Sequence, residues 1–430
     1  MVDISRRRVL GAGAAAFTAA SYNRVLGANE TVQIGVIGTG VRGGGHVRSL
    51  GNQKDARISG LCDVWRKRAE AHKQTAPDAQ VFQDHRKLLE LRGIDAVLIA
   101  TPDHWHVPIS MDAISAGKDV YCEKPITLKI GEADALKKAI AESKRIFQSG
   151  MQQRSMTHFQ TARDEYIKTG KLGKITLVRT WWHGSVSSFV KPVPADLQSQ
   201  PSDLDWKRFI EPTDKNRPYH PYQFNCFRAF FDFGGGQFTD LFTHWVDAAH
   251  MLIGEDIPIS ANASGGLFIP ELQNDGSGRT IPDTVDAAIT YPGGWMCTFE
   301  ATMAAGVNAN GLEFCGTKGK LYITRAGFEF TPVDPSAPTG YGGRGRGERA
   351  GAPPTGPFSL QQPPSPLTIG VRAAGGDEHL RNWLDCIKSR KTPNATIVDG
   401  IRSAAACHLC SVSYQQGRRL KFDPAKERIA

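Results

Sequence analysis

A glycine-rich turn follows the first apolar strand pattern of the chain. Residues 32–37, Val-Gln-Ile-Gly-Val-Ile, are typical of a buried parallel strand, and Gly38, Gly40 and Gly43 follow as G-x-G-x-x-G. The first glycine permits a tight turn, the second lets backbone approach a pyrophosphate, and the third lets a helix pack closely on the strand. We expect that helix over residues 45–50, with its N-terminus attracting phosphate. The pattern predicts a dinucleotide-binding βαβ unit.

A carboxylate stands where such a unit holds a ribose. A second apolar run ends at Asp63, 20 residues beyond the last glycine of the motif, which is the spacing expected for a ribose-binding acid. An acid there favours NAD because it repels a 2′-phosphate, although Arg66 and Arg68 follow closely and leave NADP open. The alternative for Asp63 is an ordinary turn residue at a strand end. Val41 and Arg42, inside the glycine motif, belong to the same predicted cofactor site.

Two further apolar runs end in polar motifs. Residues 96–100 lead into Thr101-Pro102-Asp-His104-Trp-His106, and residues 119–122 lead into Glu123-Lys124-Pro125. Strands that alternate with helical patterns predict a doubly wound parallel sheet, with ligands outside the carboxyl ends of its strands. Lys124 at that edge can stabilise a developing alkoxide, and the alternative is a solvated turn lysine.

These motifs, in this order and spacing, resemble the Gfo/Idh/MocA oxidoreductase family (glucose–fructose oxidoreductase, inositol dehydrogenase). The resemblance implies an α/β Rossmann domain over residues 32–150 and a substrate domain over 151–430, an α+β unit with a large, mostly antiparallel open sheet. It also implies that Lys124 contacts both substrate and nicotinamide, and that homo-oligomers form through the second sheet. The remaining cofactor contacts that it implies are Thr101, Pro102, His104, His106, Glu123 and Gln152.

The second half shows strand patterns separated by Pro- and Gly-rich segments. A helix is predicted over 157–169, two C-terminal helices over 377–389 and 397–416, and strands over 174–182, 287–291, 296–301, 311–316 and 320–324. Alternation of apolar and polar residues in these strands indicates a sheet with one covered face. Residues 331–366 are long for a connection inside a compact domain, which predicts an insertion at the surface or over the active site, or partial disorder.

Asp240 and His244 are four residues apart after a run of three glycines. On one helix both side chains would point to the same face. Oxidation of a carbinol needs a base for the hydroxyl proton, and histidine is the side chain best suited near neutral pH. The family resemblance implies that both residues join Lys124 at the reacting carbon, with Asp240 orienting His244. The alternatives are a capping acid with a structural histidine, or, with Asp247, a metal site, which we do not predict because a separate ligand set is missing.

Aromatic and basic residues of the second half are candidates for binding the substrate. Flat rings pack on the C–H faces of sugars, and arginines can bind hydroxyl groups. The candidates are Arg154, Trp182, His183, Tyr222 and Arg228, with Trp181, Tyr219, His220 and Phe227 nearby in sequence. Burial in the core is the alternative for each aromatic residue, and surface salt bridges are the alternative for the arginines.

The first 28 residues have the pattern of an export signal. Ser5-Arg6-Arg7-Arg8-Val9-Leu10 precedes the small apolar run of residues 11–20, which is too short to span a bilayer. The segment resembles a twin-arginine signal, with Val9 where the family has Phe. We therefore expect a periplasmic or secreted protein without stable membrane insertion. The basic residues behind the net charge of +9 are scattered, so we expect no nucleic-acid partner.

The sequence thus predicts an exported NAD-dependent oxidoreductase that acts on a hydroxyl group of a sugar, glycoside or polyol. Free NAD is scarce outside the cytoplasm, so the cofactor should be held tightly. Two alternatives stay open. One is an NAD-dependent glycoside hydrolase that oxidises, eliminates, hydrates and re-reduces, without the paired carboxylates of ordinary glycosidases. The other is a non-catalytic protein that binds a sugar or the cofactor.

Overall fold

The computed structural model describes residues 30–184, 189–213, 216–273, 275–305, 309–333 and 377–430. The predicted export signal over 1–28 and all but the first residues of the predicted 331–366 insertion lie outside these ranges. Within them, no helix is long and apolar enough to cross a membrane.

The first half of the chain forms a parallel sheet of six strands in the order β3-β2-β1-β4-β5-β6. Short apolar runs form these strands because both faces of the sheet are covered by helices. The strands are β1 (Val32–Ile37), β2 (Ala56–Cys62), β3 (Gln80–Phe82), β4 (Ala96–Ile99), β5 (Asp119–Cys122) and β6 (Phe147–Ser149). The strand order reverses between β1 and β4, which opens a crevice at their carboxyl ends. The predicted Rossmann sheet is confirmed.

The second half forms a sheet of nine strands in the order β13-β12-β11-β7-β10-β9-β8-β14-β15. Neighbouring strands are antiparallel except for β7 and β10, which are parallel. The strands are β7 (Ile175–His183), β8 (Ser260–Gly266), β9 (Thr284–Tyr291), β10 (Trp295–Thr302), β11 (Asn310–Gly316), β12 (Gly319–Thr324), β13 (Gly327–Pro332), β14 (Leu420–Asp423) and β15 (Arg428–Ile429). The predicted mostly antiparallel sheet is confirmed, and β8, β13, β14 and β15 are additions to the predicted strands.

Helices connect and cover the two sheets. They are α1 (Val41–Gly51), α2 (Arg66–Ala71), α3 (His85–Leu89), α4 (His106–Ser115), α5 (Asp134–Ser143), α6 (Thr157–Ala162), α7 (Trp206–Ile210), α8 (Pro221–Asn225), α9 (Gly236–Asp240), α10 (Phe242–Ile253), α11 (Pro270–Gln273), α12 (Asp377–Ser389) and α13 (Ile397–Gln416). The predicted 157–169 helix ends early, because residues 163–167 form a wider, π-type turn. Helix α1 begins at Val41 rather than near residue 45, so the last glycine of the motif lies inside it.

The C-terminal helices join the two halves. Leu380 and Trp383 of α12 pack into the core of the first sheet with Val32 and Tyr121, although this helix lies far beyond residue 150 in sequence. Helix α13 contributes Cys407 and other residues to the core of the second sheet. Since both halves share these contacts, the crevice of the first sheet faces side chains of the second half.

Candidate active site

A cleft of about 680 Å³ lies between the carboxyl edge of the first sheet and the second half of the chain. Its volume lies within the range of sites for small molecules and cofactors. The cleft brings together most of the residues that the sequence predicted for the site. Those that line it are Gly38, Gly40, Val41, Arg42, Asp63, Thr101, Pro102, Glu123, Lys124, Gln152, Trp182, Arg228, Asp240 and His244.

The glycine turn at one end of the cleft has the backbone that a pyrophosphate requires. Gly38 has φ of +84°, and a Cβ there would lie 2.6 Å from the backbone of Ala100; a Cβ on Gly43 would lie 1.8 Å from the oxygen of Gly38. By contrast, nothing lies within 4 Å of a Cβ on Gly40. Gly38 and Gly43 are therefore required by the fold, whereas Gly40 leaves open space in which a ligand can approach the N-terminus of α1.

The carboxylate of Asp63 is fixed beside this turn. Its oxygens accept hydrogen bonds from the backbone nitrogens of Thr39 and Trp65, both at 2.9 Å, and one oxygen also accepts from the Thr39 hydroxyl. Asp63 thus organises the local backbone and also lines the cleft, in the position expected for a ribose-binding acid.

Two cleft atoms in this region are buried without partners among the described residues. They are Oγ1 of Thr101 and Oε1 of Gln152. Buried polar atoms are normally paired, so these two atoms of the cleft are free to bind a polar ligand. Together with the glycine turn and Asp63, they fit NAD, whose phosphates, ribose and amide need such partners. No group of His, Cys, Asp and Glu in the described ranges could hold a metal ion.

Glu123 supports the cleft floor. Its Oε1 accepts hydrogen bonds from Nε of Arg42 at 2.6 Å and is 2.7 Å from Nε2 of His46. Burial opposes its charge, but Arg42 and His46 hold the pKa of Glu123 well below its usual range. Glu123 therefore stays ionised and fixes the start of the segment that carries Lys124.

Lys124, Asp240 and Arg228 form an ionic cluster in which Asp240 is buried and the two cations are partly buried. The ammonium of Lys124 donates to the backbone oxygen and to Oδ1 of Asp240, both at 2.7 Å, and Nε of Arg228 lies 3.1 Å from the same Oδ1. Burial opposes the charge, but Arg228 and Lys124 hold the pKa of Asp240 well below its usual range. Asp240 therefore holds Lys124 and Arg228 rather than orienting His244, for which no hydrogen bond to Asp240 is found in the described structure.

His244 lies on the next helix. The predicted single helix is interrupted at Leu241, so Asp240 ends α9 and His244 stands in the first turn of α10. Burial, with the charges of Arg325 and Lys124, lowers the pKa of His244 well below its usual value. Nδ1 of His244 is buried with no partner in the described part of the chain. The imidazole is therefore neutral near pH 7, the form in which one ring nitrogen keeps the free lone pair that a general base needs.

Charged residues of the cleft that the sequence did not predict include Asp103, Lys191, Arg208 and Arg325. Asp103 stands between motif residues that were named, and burial with the charge of Asp240 raises its pKa to about 7. A Cβ on Gly234 would lie 3.2 Å from Oδ2 of Asp103, so the glycine run brings α9 close to this carboxyl. Arg325 occupies the turn between β12 and β13, where no motif pointed to it. Asp103 could have been predicted as a site residue, because it lies inside the Thr101–His106 segment.

Several predicted site residues lie outside the cleft lining. Arg66 pairs with Glu70 on the surface of α2. His104 and His106 are buried and contact the backbone oxygens of Phe209, Pro125 and Thr101. They hold the loops that form the cleft instead of facing it.

The remaining exceptions belong to the second half. Arg154 pairs with Asp247 at 2.9 Å and with Asp399 at 3.0 Å, which ties helix α10 to helix α13 within the second half. Nε2 of His183 lies 3.8 Å from Glu300, and Tyr222 packs against the core. The predicted aromatic platform is therefore reduced to Trp182 and Phe227.

Comparison with known proteins identifies related domains. Residues 32–151 match the GFO_IDH_MocA family, described as an oxidoreductase family with an NAD-binding Rossmann fold. Residues 213–322 match a C-terminal domain of the same family. An inositol 2-dehydrogenase of Saccharopolyspora erythraea is 39% identical over 129 residues, which are 29% of this chain and 38% of that protein. The chain thus matches less than half of that relative's length.

Other relatives extend over more of the chain. A myo-inositol 2-dehydrogenase of Thermotoga maritima is 23% identical over 68% of this chain and 75% of its own length. A levoglucosan dehydrogenase solved with NADH and L-sorbose has a TM-score of 0.66 and 20% identity, covering 92% of this chain and 100% of that one. A myo-inositol 2-dehydrogenase from Lactobacillus plantarum has a TM-score of 0.63 and 20% identity, with the same coverage. At these identities the solved structures show a shared fold.

Proposed function

Because the chain carries the N-terminal NAD-binding domain and a C-terminal domain of the GFO/IDH/MocA oxidoreductase family, we propose that it is an NAD-dependent oxidoreductase acting on a hydroxyl group of a sugar, glycoside or polyol. The observation that carries the proposal is that His244, Lys124 and the glycine turn line the same cleft. A base, a cation and a dinucleotide site in one cleft are the parts that carbinol oxidation requires.

Each side chain has a distinct task in this reaction. Bound NAD supplies the hydride acceptor. His244 takes the hydroxyl proton, since burial keeps its imidazole neutral. Lys124 donates a hydrogen bond to the hydroxyl oxygen and stabilises the negative charge that develops there. Asp240 fixes the ammonium of Lys124 through two hydrogen bonds of 2.7 Å, and so acts as a positioning residue for that cation.

The substrate class is supported by the relatives. The proteins that resemble this chain are named inositol 2-dehydrogenases and a levoglucosan dehydrogenase solved with L-sorbose. Trp182 and Phe227 line the cleft, and their aromatic rings suit the C–H faces of such sugars and polyols.

Formation of NADH from NAD and a panel of myo-inositol, levoglucosan and monosaccharides tests the proposal. Replacing His244 by Gln should lower kcat by roughly 10²–10⁴-fold while leaving NAD affinity unchanged. His183→Gln is the matched control, because His183 lies outside the cleft lining, and it should retain the wild-type rate. Unchanged turnover in His244→Gln would remove this residue from the chemistry.

The same panel separates the competing functions. Release of 4-nitrophenol from aryl glycosides without net NADH formation would favour the glycoside hydrolase. Sugar binding without any turnover would favour a non-catalytic protein.

We further propose that the protein is exported with its cofactor retained. The arginine pair Arg6–Arg7 and the apolar run behind it support export. Expression in a host with and without a functional twin-arginine system, followed by fractionation, tests this. Mass spectrometry of the purified protein should find NAD or NADH, and a protein without nucleotide would contradict retention.

A further inference from the structure

Arg325 is a cation of the cleft wall without an acidic partner. Its Nε and Nη2 atoms are buried and have no hydrogen-bond partner among the described residues, which also offer it no salt bridge. Two other arginines have unpartnered nitrogens, but Arg217 pairs with Asp232 and Arg279 with Asp275. Because an unsatisfied buried charge is costly, a guanidinium of this kind indicates a ligand that satisfies it.

The turn that carries Arg325 is held in place. Strands β12 and β13 pair up to Thr324 and Gly327, so Arg325 occupies a two-residue hairpin turn. The backbone oxygen of Thr324 lies 2.9 Å from Nε2 of the buried His158. The hydroxyl of Thr324 accepts a hydrogen bond from the backbone nitrogen of Ala326 at 3.1 Å. The guanidinium is therefore presented from a fixed backbone.

Arg325 stands on the wall of the cleft that carries the proposed base. Its guanidinium carbon lies 5.3 Å from the centroid of the Trp182 ring, and that ring lies 6.1 Å from the ring of His244. The cation and the imidazole thus both lie beside the Trp182 ring, close enough for one monosaccharide with its hydrogen bonds to reach both. The phosphates of NAD have their own site, the glycine turn and the N-terminus of α1, where Arg42 already stands.

We propose that Arg325 forms a subsite for a carboxylate, so that the substrate is a sugar acid whose carboxylate pairs with Arg325 while a ring hydroxyl meets His244. The planar fork of a guanidinium matches a carboxylate with two parallel hydrogen bonds. Burial and the charge of Arg42 lower the pKa of Arg325 to about 10, which leaves it cationic at neutral pH. This inference rests on the oxidoreductase function proposed above and specifies its substrate class.

Matched pairs of acidic and neutral sugars test the subsite. The pairs are glucuronate with glucose, galacturonate with galactose, and mannuronate with mannose, each assayed for NADH formation and for binding to the NAD-loaded protein by titration calorimetry. At least one acid should bind about tenfold or more tightly than its neutral partner, equivalent to about 1.4 kcal/mol. Arg325→Met should abolish that preference, Arg325→Lys should restore part of it, and Arg217→Met, the matched control, should retain it.

The outcomes separate this inference from the proposed function. Oxidation of neutral sugars with no preference for the acids leaves the oxidoreductase intact and overturns the subsite. Binding of an acid that depends on Arg325, without NADH formation, supports the subsite and removes the oxidoreductase function. If Arg325→Met weakens binding of NAD itself and leaves the acid preference unchanged, the guanidinium serves the pyrophosphate and the inference fails.

Discussion

The buried carboxyl of Asp103 permits a quantitative test of the electrostatics of the cleft. Burial, with the nearby charge of Asp240, raises its pKa from 3.8 to about 7. Between these two values the native protein binds the proton and the unfolded chain does not. The free energy of unfolding therefore falls as the pH rises through this interval and levels off above it.

Replacing Asp103 by Asn keeps the shape of the side chain and removes its titration. A rise in pKa from 3.8 to about 7 corresponds to about 4 kcal/mol at about 1.4 kcal/mol for each pH unit. The wild type should lose up to about 4 kcal/mol of unfolding free energy between about pH 4 and about pH 8, whereas Asp103→Asn, which does not titrate at this position, should not. The stability of the variant relative to the wild type should therefore rise by the same amount over this range.

Urea unfolding followed by tryptophan fluorescence, repeated across this pH range, measures that difference. Asp78→Asn is the control, since it removes an exposed carboxylate that pairs with Arg57 on the surface. It should show a small difference from the wild type that varies little with pH. A difference for Asp103→Asn that is constant across the range would refute the assignment of a raised pKa.

Three further substitutions test other contacts. Asp240→Asn removes the buried carboxylate that Lys124 and Arg228, both partly buried, share as a counter-charge, and urea unfolding should show a loss of up to about 3–5 kcal/mol. Gly40→Ala places a methyl group in the open space through which NAD would approach α1. The variant should keep wild-type stability, but calorimetry should find its NAD binding weaker by roughly tenfold or more. Gly45→Ala, where a methyl group also meets nothing, is the control and should bind NAD normally. Asp247→Asn breaks the buried pair with Arg154, which should cost about 3–5 kcal/mol without changing NAD affinity.

The first sheet was predictable because its signals are local. One backbone turn requires both the positive φ of Gly38 and the close packing at Gly43. Any chain that uses this turn therefore needs glycine at the same two positions. Asp63 is fixed by hydrogen bonds from Thr39 and Trp65, directly after β2, the strand that pairs with β1. Spacing along the chain therefore carries most of the information about the cofactor side of the cleft.

The substrate side depends on contacts that spacing does not encode. Arg154 looked like a ligand for hydroxyl groups, but it meets Asp399, which α13 brings back across the molecule. Arg325 had no motif, and it reaches the cleft only because β12 lies two strands from β7, which carries Trp182. In both cases the partner, or its absence, decides whether a guanidinium is structural or free to bind a substrate. An arginine of the second half can therefore be assigned to the site only after sheet order and helix packing show which acids it reaches.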